Sequence, residues 1–229
     1  MRHLILFVCF FILISGDLSG QSKVNFLEAG LSYLQPSGSF GRNVTSAKLA
    51  FQMGYLRQVK SDKPLFWGVN LYYTTLGSAS DVVQEIIDFS LVDFDLQTNS
   101  HLLGFNGKLR YYPDFYIGKL EFYVEAQLGY KWLYTITNRT VSGDSETSDS
   151  EFEEGNLSLT YGLAGGLHYP IKGDNTFLNF SINYLPGLSE RYYVEDPENQ
   201  ISTSTLDYFD LKKSTTDIFR YDLGITFRF

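Results

Sequence analysis

Cysteine is nearly absent from this 229-residue chain: the one thiol, Cys9, lies inside an N-terminal apolar run. Beyond that run there is no disulfide, no thiolate nucleophile and no thiolate metal ligand, so stability must come from packing and hydrogen bonds. Histidine is almost as scarce, with His3, His101 and His168 only. Long apolar runs are missing as well. After Ile14 no stretch approaches the roughly 18 residues that mark a transmembrane helix. Positive charge is in deficit, with a net charge of −8. Such a surface is poorly suited to nucleic acid, and no nucleic-acid partner is expected.

The first residues carry their own pattern. Arg2 and His3 precede an unbroken apolar run from Leu4 to Ile14, and small or polar residues follow from Ser15 to Gly20. That order predicts a secretory signal peptide over residues 1–20, cut before Gln21, rather than an N-terminal anchor. Residues 21–229 then form the mature domain.

Aromatic residues make up 17% of the chain, with 17 Tyr and 19 Phe. They recur at every second position, the period of a β-strand. Eight segments alternate in this way: 27–33, 47–55, 65–73, 103–111, 120–134, 157–169, 178–184 and 219–229. The fifth sets Leu120, Phe122, Val124, Ala126, Leu128, Tyr130, Trp132 and Tyr134 against Glu121, Glu125, Gln127, Gly129 and Lys131. Phe66 and Tyr72 break the alternation of the third. The prediction is all-β: an eight-stranded antiparallel up-and-down barrel.

Which row faces in is a question of volume. An eight-stranded barrel encloses barely enough space for its own inward side chains. A row of Leu, Phe, Tyr and Trp cannot fit there, whereas a row of Gly, Ser and Ala with paired charges can. The apolar row therefore faces out, into lipid, rather than in, as it would in a soluble lipocalin-like barrel. The aromatic residues near the two ends of the segments then read as interfacial belts.

Three connectors are short (near 59–64, 113–118 and 170–175), and four are long (36–45, 77–100, 138–155 and 187–216). Short turns on one side and long loops on the other is the asymmetry of outer-membrane barrels. An extra strand pair around Glu85–Leu96, making ten strands, is the alternative. Acidic residues concentrate in the long connectors: Asp81, Glu85, Asp88, Asp93 and Asp95 in the second, and Asp144, Glu146, Asp149, Glu151, Glu153 and Glu154 in the third.

The ending Phe219-Arg-Tyr-Asp-Leu-Gly-Ile-Thr-Phe-Arg-Phe229 resembles the C-terminal signal of outer-membrane barrels. With the eight segments, the whole chain looks like the small outer-membrane β-barrel domain proteins common in Bacteroidota. The resemblance implies that Tyr221, Leu223, Ile225, Phe227 and Phe229 are read by the barrel-assembly machinery. It also implies residence in the lipid of a bacterial outer membrane, and it carries little about activity.

The inward row supplies Glu28, Lys48, Lys108, Arg110, Glu121, Glu125, Lys131, Arg220, Asp222 and Arg228 as lumen charges. Buried charge is costly unless paired, so these residues are expected to plug the lumen with ion pairs; a narrow gated water path is the alternative. His101, below Asp93 and Asp95, and His168, with Ser158 and Ser181 on nearby rows, are the only candidates for a hydrolase base. The run Asp144–Glu151 offers oxygen ligands without the spacing of a calcium loop. No catalytic residue, cofactor or metal is assigned. The expected function is a non-enzymatic envelope or surface-interaction barrel acting through its acidic loops. The alternatives are an accessory subunit of a secretion or transport machine, with an unidentified envelope partner, or a membrane enzyme or narrow channel.

Overall fold

The computed structural model describes residues 23–87, 89–141, 144–173, 175–195 and 205–229. The signal segment expected over 1–20 and part of the last connector, 196–204, lie outside the described residues.

Eleven strands follow in chain order: β1 (Asn25–Pro36), β2 (Lys48–Gln58), β3 (Leu65–Ile87), β4 (Ser90–Tyr111), β5 (Tyr116–Ile117), β6 (Leu120–Val141), β7 (Asp144–Lys172), β8 (Thr176–Leu185), β9 (Glu190–Glu195), β10 (Phe209–Ser214) and β11 (Ile218–Arg228). Eight of them close a ring in the order β1-β2-β3-β4-β6-β7-β8-β11, with β11 returning to β1 and every pairing antiparallel. The short β5 only folds back onto β6 within the second turn. A six-residue helix, α1 (Gly38–Asn43), follows β1.

The pairing register fixes the size of the ring. Stepping across from Phe177 to Thr226, Glu28, Gly54, Asn70, Asn106, Gly129 and Thr160, the path re-enters its starting segment at Gly187, about ten residues along. That stagger tilts the strands by about 40° and leaves a narrow interior.

The apolar row points outward on every barrel strand. Leu49, Phe51 and Leu163 are each more than 70% exposed, whereas Arg110, Lys131 and Arg220 are 1% exposed or less. A water-soluble protein has the opposite distribution, so this surface is solvated by lipid. From Phe122 to Trp132 the outward row of β6 runs for about 25 Å along the barrel axis, one hydrocarbon thickness. Among the described residues no helix is long and apolar enough to cross a membrane.

Two of the expected loops are strand. Residues 77–87, 90–100, 138–141 and 144–155 continue the ladders of β3–β4 and β6–β7 well beyond the lipid band, with β4 and β6 paired up to Phe94 and Val141. The alternative extra strand pair at 85–96 is the tip of this same extension, and the ring has eight strands. A bulge at Thr75/Gly77 and another at Thr135/Ile136 mark where the strands leave the barrel proper. The barrel thus has a tall wall (β3, β4, β6, β7; 22 to 29 residues each) and a short wall (β8, β11, β1, β2; 10 to 12 residues each). Near the tip of the tall wall, Phe89 is fully exposed and adopts φ of 63°. That left-handed conformation is costly for a bulky side chain.

The other two long connectors fold inward. Phe40 of α1 and Tyr192 of β9 are fully buried and meet edge to face, ring centroids 5.0 Å apart. The β9–β10 hairpin and a 3-10 turn (Thr205–Tyr208) lie against the inner face of the tall wall. There Thr98 meets Thr205 at 2.7 Å and Ser100 donates to the Tyr193 carbonyl at 3.0 Å.

Candidate functional site

The lumen is filled in three tiers, and its inward row is less uniformly polar than alternation suggests. At the turn end, Phe26, Leu56, Phe66 and Phe177 form an apolar cluster with Val24 and Tyr112 against it. At the loop end, Leu34, Phe40, Val44, Tyr72, Leu102, Leu133, Leu185, Tyr192 and Ile218 form a second one. The charges occupy the middle. Phe66 and Tyr72, which interrupt the alternation of the third segment, are lumen side chains of these clusters.

In the charged tier Arg110 bridges two carboxylates. It donates to Glu28 at 2.5 and 3.1 Å and to Glu125 at 2.8 Å. Lys108 lies 3.4 Å from Glu28 and 3.3 Å from Glu125. The guanidinium of Arg110 also stacks on Tyr123 at 3.9 Å. Closer to the loops, Arg220 pairs with Asp222 at 3.0 Å and donates to Asn70 at 3.0 Å. Asp222 in turn accepts from Ser32 at 2.5 Å, Ser181 at 3.0 Å and Asn183 at 2.9 Å. Three cations and three carboxylates balance, and amides and hydroxyls fill their remaining valences. This satisfies the condition under which buried charge is tolerated.

Lys131 stands apart. Its ammonium is fully buried and donates to two main-chain carbonyls, Leu185 at 2.7 Å and Thr216. It thereby ties the last connector to the barrel wall, assisted by Ser158, which donates to Leu188 O at 2.9 Å. Three expected lumen charges lie elsewhere: Lys48 and Glu121 are half-buried and Arg228 is exposed. All three sit within two residues of one end of their strands, where the inward direction opens onto the rim.

Glycine makes room for the aromatic members of the core. Tyr72 lies over Gly104, its partner across the β3–β4 ladder, and Tyr123 over Gly166, its partner across β6–β7. A Cβ at either glycine would overlap the tyrosine ring. Among the described residues, only Tyr72 Oη and Asn106 Oδ1 are buried side-chain polar atoms without a hydrogen-bond partner.

The histidines do not assemble a hydrolase. His168 is buried among Phe26, Tyr112, Tyr123 and Phe177, with its Nε2 3.8 Å from Glu28. Ser158 is ten residues away on the same strand, about 33 Å, and Ser181 is engaged by Asp222. His101 faces outward instead. Its Nδ1 lies 2.8 Å from the Tyr73 hydroxyl, and its ring sits between Tyr73 and Tyr134 in the loop-side aromatic belt. Asp95 lies six residues along the strand, about 20 Å away. The acidic run Asp144–Glu151 is the opening of β7, paired with β6.

The terminal residues Tyr221, Leu223, Ile225, Phe227 and Phe229 all project from the outer face of the ring-closing strand. The last two backbone bonds are exchanged between Asn25 and Phe229, at 2.9 and 3.0 Å.

No protein-family model matches the chain, and no characterised protein matches it by sequence. Solved structures of similar form are bacterial outer-membrane proteins. A major outer membrane protein from Thermus thermophilus is 14% identical over 90% of this chain and 99% of that one, with a TM-score of 0.46. Outer Membrane Protein W from E. coli is 12% identical over 92% and 100%, at 0.44. Ail, the attachment invasion locus protein of Yersinia pestis, solved with the heparin analogue sucrose octasulfate, is 16% identical over 91% and 100%, at 0.38.

The amides and hydroxyls Asn70, Asn106, Gln127, Asn183 and Ser32 lie on the row that alternation turns inward, and all are buried, although only the charges of that row are singled out as lumen residues by sequence. Their signal was their parity, since each shares a row with a charged or glycine residue already assigned to the lumen.

Proposed function

We propose that this protein is a non-enzymatic barrel of the bacterial outer membrane, closed to solute, that presents its tall wall at the cell surface for interaction. The observation that carries this reading is the lumen. Its tiers pair the charges of the middle and close both ends with apolar side chains, and the β9–β10 hairpin is packed into the mouth. A pore needs a continuous wet path, and a hydrolase needs a base beside a nucleophile. Neither requirement is served by side chains already engaged with one another. The lipid-facing row supports membrane residence, and the ring-closing strand with its terminal Phe229 supports delivery by the barrel-assembly machinery.

Two measurements test it together. Outer-membrane fractions run on gels with and without heating should show a mobility shift, as expected of a barrel that resists detergent until boiled. The refolded protein in planar bilayers should give no stable conductance steps. Stable steps would replace the surface-display reading with a channel, and absence of the shift would remove the barrel reading altogether.

A further inference from the structure

The outward face of the tall wall changes character above the lipid band, and the pairing register sets its residues in rows across four strands. Rings come first. Tyr73, His101, Tyr134, Trp132 and Phe152 touch in sequence from β3 to β7, with centroids 5.6, 5.0, 4.5 and 6.5 Å apart. On the short wall, ring contacts at this level stop at pairs, Tyr33 with Tyr221 and Tyr184 with Phe219.

Two rows of uncharged polar side chains follow, spaced by about 7 Å along the strands. The lower sets Ser78 beside Asn99, with Ile136 and then Phe152 next to them. The upper aligns Ser80, Gln97, Asn138 and Ser150. Ser78 donates to the amide oxygen of Asn99 and Ser150 to that of Asn138, each at 2.7 Å. Among the described residues the NH2 groups of Asn99 and Asn138 and the whole amide of Gln97 are left without a protein partner.

A water-facing surface is ordinarily about 25–35% charged, yet neither row holds a charge. Arg139, the nearest base in sequence, lies over Phe94 on the inner face. The next charges outward are acids, Asp95 and then Asp93. Membrane anchoring accounts for rings at a lipid boundary, but not for unpaired amides stacked above them. Ring faces are electron-rich and attract polarised C–H groups, and primary amides both donate and accept. Nothing on this face would hold a phosphate or sulfate. A neutral sugar matches both parts, with C–H faces for the rings and hydroxyls for the amides.

We propose that the outward face of the tall wall holds the neutral sugar chain of a glycolipid anchored in the surrounding leaflet. A chain rooted in that leaflet crosses the rings first and the amides of Asn99, Gln97 and Asn138 next, the order in which the rows stand. Asp95 and Asp93 beyond them turn away anionic substituents. The inference rests on the reading that the tall wall stands outside the membrane. Failure of that reading would appear in the gel-mobility and conductance measurements, irrespective of the lipid headgroup.

The test uses the full mature barrel with Trp67→Phe, which leaves Trp132 as its only tryptophan. The protein is placed in phosphatidylcholine nanodiscs with rising mole fractions of digalactosyl diacylglycerol, a sulfated galactosyl lipid or phosphatidylglycerol. Trp132 emission should respond saturably to the neutral glycolipid, at least fivefold more weakly to the sulfated one, and not to phosphatidylglycerol. The double variant Asn99→Ala, Asn138→Ala lies above the lipid band. It should raise the half-saturating mole fraction at least fivefold while keeping the heat-dependent mobility of the barrel. Tyr134→Leu should raise it several-fold. Emission indifferent to headgroup would mean only an interfacial belt and would overturn the proposal. So would an equal response to the sulfated lipid, an unchanged half-point in the double variant, or an equal response to the digalactose headgroup free in solution.

Discussion

The tall and short walls are built from the same backbone pairing but solve different problems. On the short wall each strand is about as long as the membrane is thick, so its outward row is apolar through the middle and turns polar only at the strand ends, as at Gln35 and Arg57. On the tall wall the strands pass from lipid into water without interruption. Leu128 and Leu163 lie on the outward face low in the wall, and Asp93, Asp95 and Gln97 lie on it higher up. The ladder does not change at that boundary; only the solvent does. Side-chain polarity therefore reports what each face touches, and strand identity comes from the neighbours.

Both walls depend on the charged tier, and disrupting it carries the greatest cost. Arg110→Ala leaves Glu28 and Glu125 buried with Lys108 as their remaining cation, and should destabilise the barrel by about 3–5 kcal/mol. Urea titration of the folded fraction, read as heat-dependent mobility on gels, measures it. The next test separates the two solvents on the tall wall itself. Leu163→Lys, in the lipid band, should cost about 2–4 kcal/mol. Leu91→Lys, equally exposed on the upper wall (70% against 71%), should change stability by no more than about 0.5 kcal/mol. Equal costs would mean that the upper wall is also in lipid.

A smaller effect is expected where the inward-folded connectors meet. Tyr192→Phe removes a hydroxyl that accepts from Asn43 at 2.8 Å and lies 2.5 Å from Ser214. The loss should be about 1 kcal/mol, accompanied by faster amide exchange in β9 and β10. The smallest concerns Tyr208, whose hydroxyl is held above its ordinary range by donation to Asp81. A raised folded value means the contact is fully present below the unfolded tyrosine range and fades as pH rises through the folded one. The difference in tyrosinate absorbance between the wild type and Tyr208→Phe should isolate one residue that ionises above the ordinary tyrosine range.

The lipid-facing part of this molecule was legible residue by residue because a membrane imposes one requirement on one face. Leu27 to Tyr33, Val124 to Tyr134 and Phe219 to Phe229 carry it plainly. The upper wall was not legible. Where both faces meet water or a polar neighbour, Ser78 to Gln84 and Asn138 to Glu154 lose the contrast that marks a strand, and their acidity reads as loop. The lumen was legible in its charges but not in its tiers. Phe66 and Tyr72 look like lapses in a pattern until Phe26 and Arg220 are seen beside them, and that proximity depends on a closed ring. The inward fold of the last connector had no local signal, since Lys131 binds its main chain and not any particular side chain.

Closure of that ring also sets the timing of folding. Phe26 pairs with Arg228 about 200 residues later in the chain, so the pairing that completes the barrel is among the most distant in sequence that this protein can form. Every other adjacent pair on the ring can zip from a turn or a shorter connector. The β1–β11 pair must wait for both ends, and until it forms both strands face their surroundings with unpaired backbone, which is untenable in lipid. The first strand of the barrel to be synthesised is thus among the last to be satisfied. Folding is held open until the C-terminal strand arrives, and a chain lacking Ile218–Arg228 should stall as an open, aggregation-prone sheet rather than as a smaller barrel.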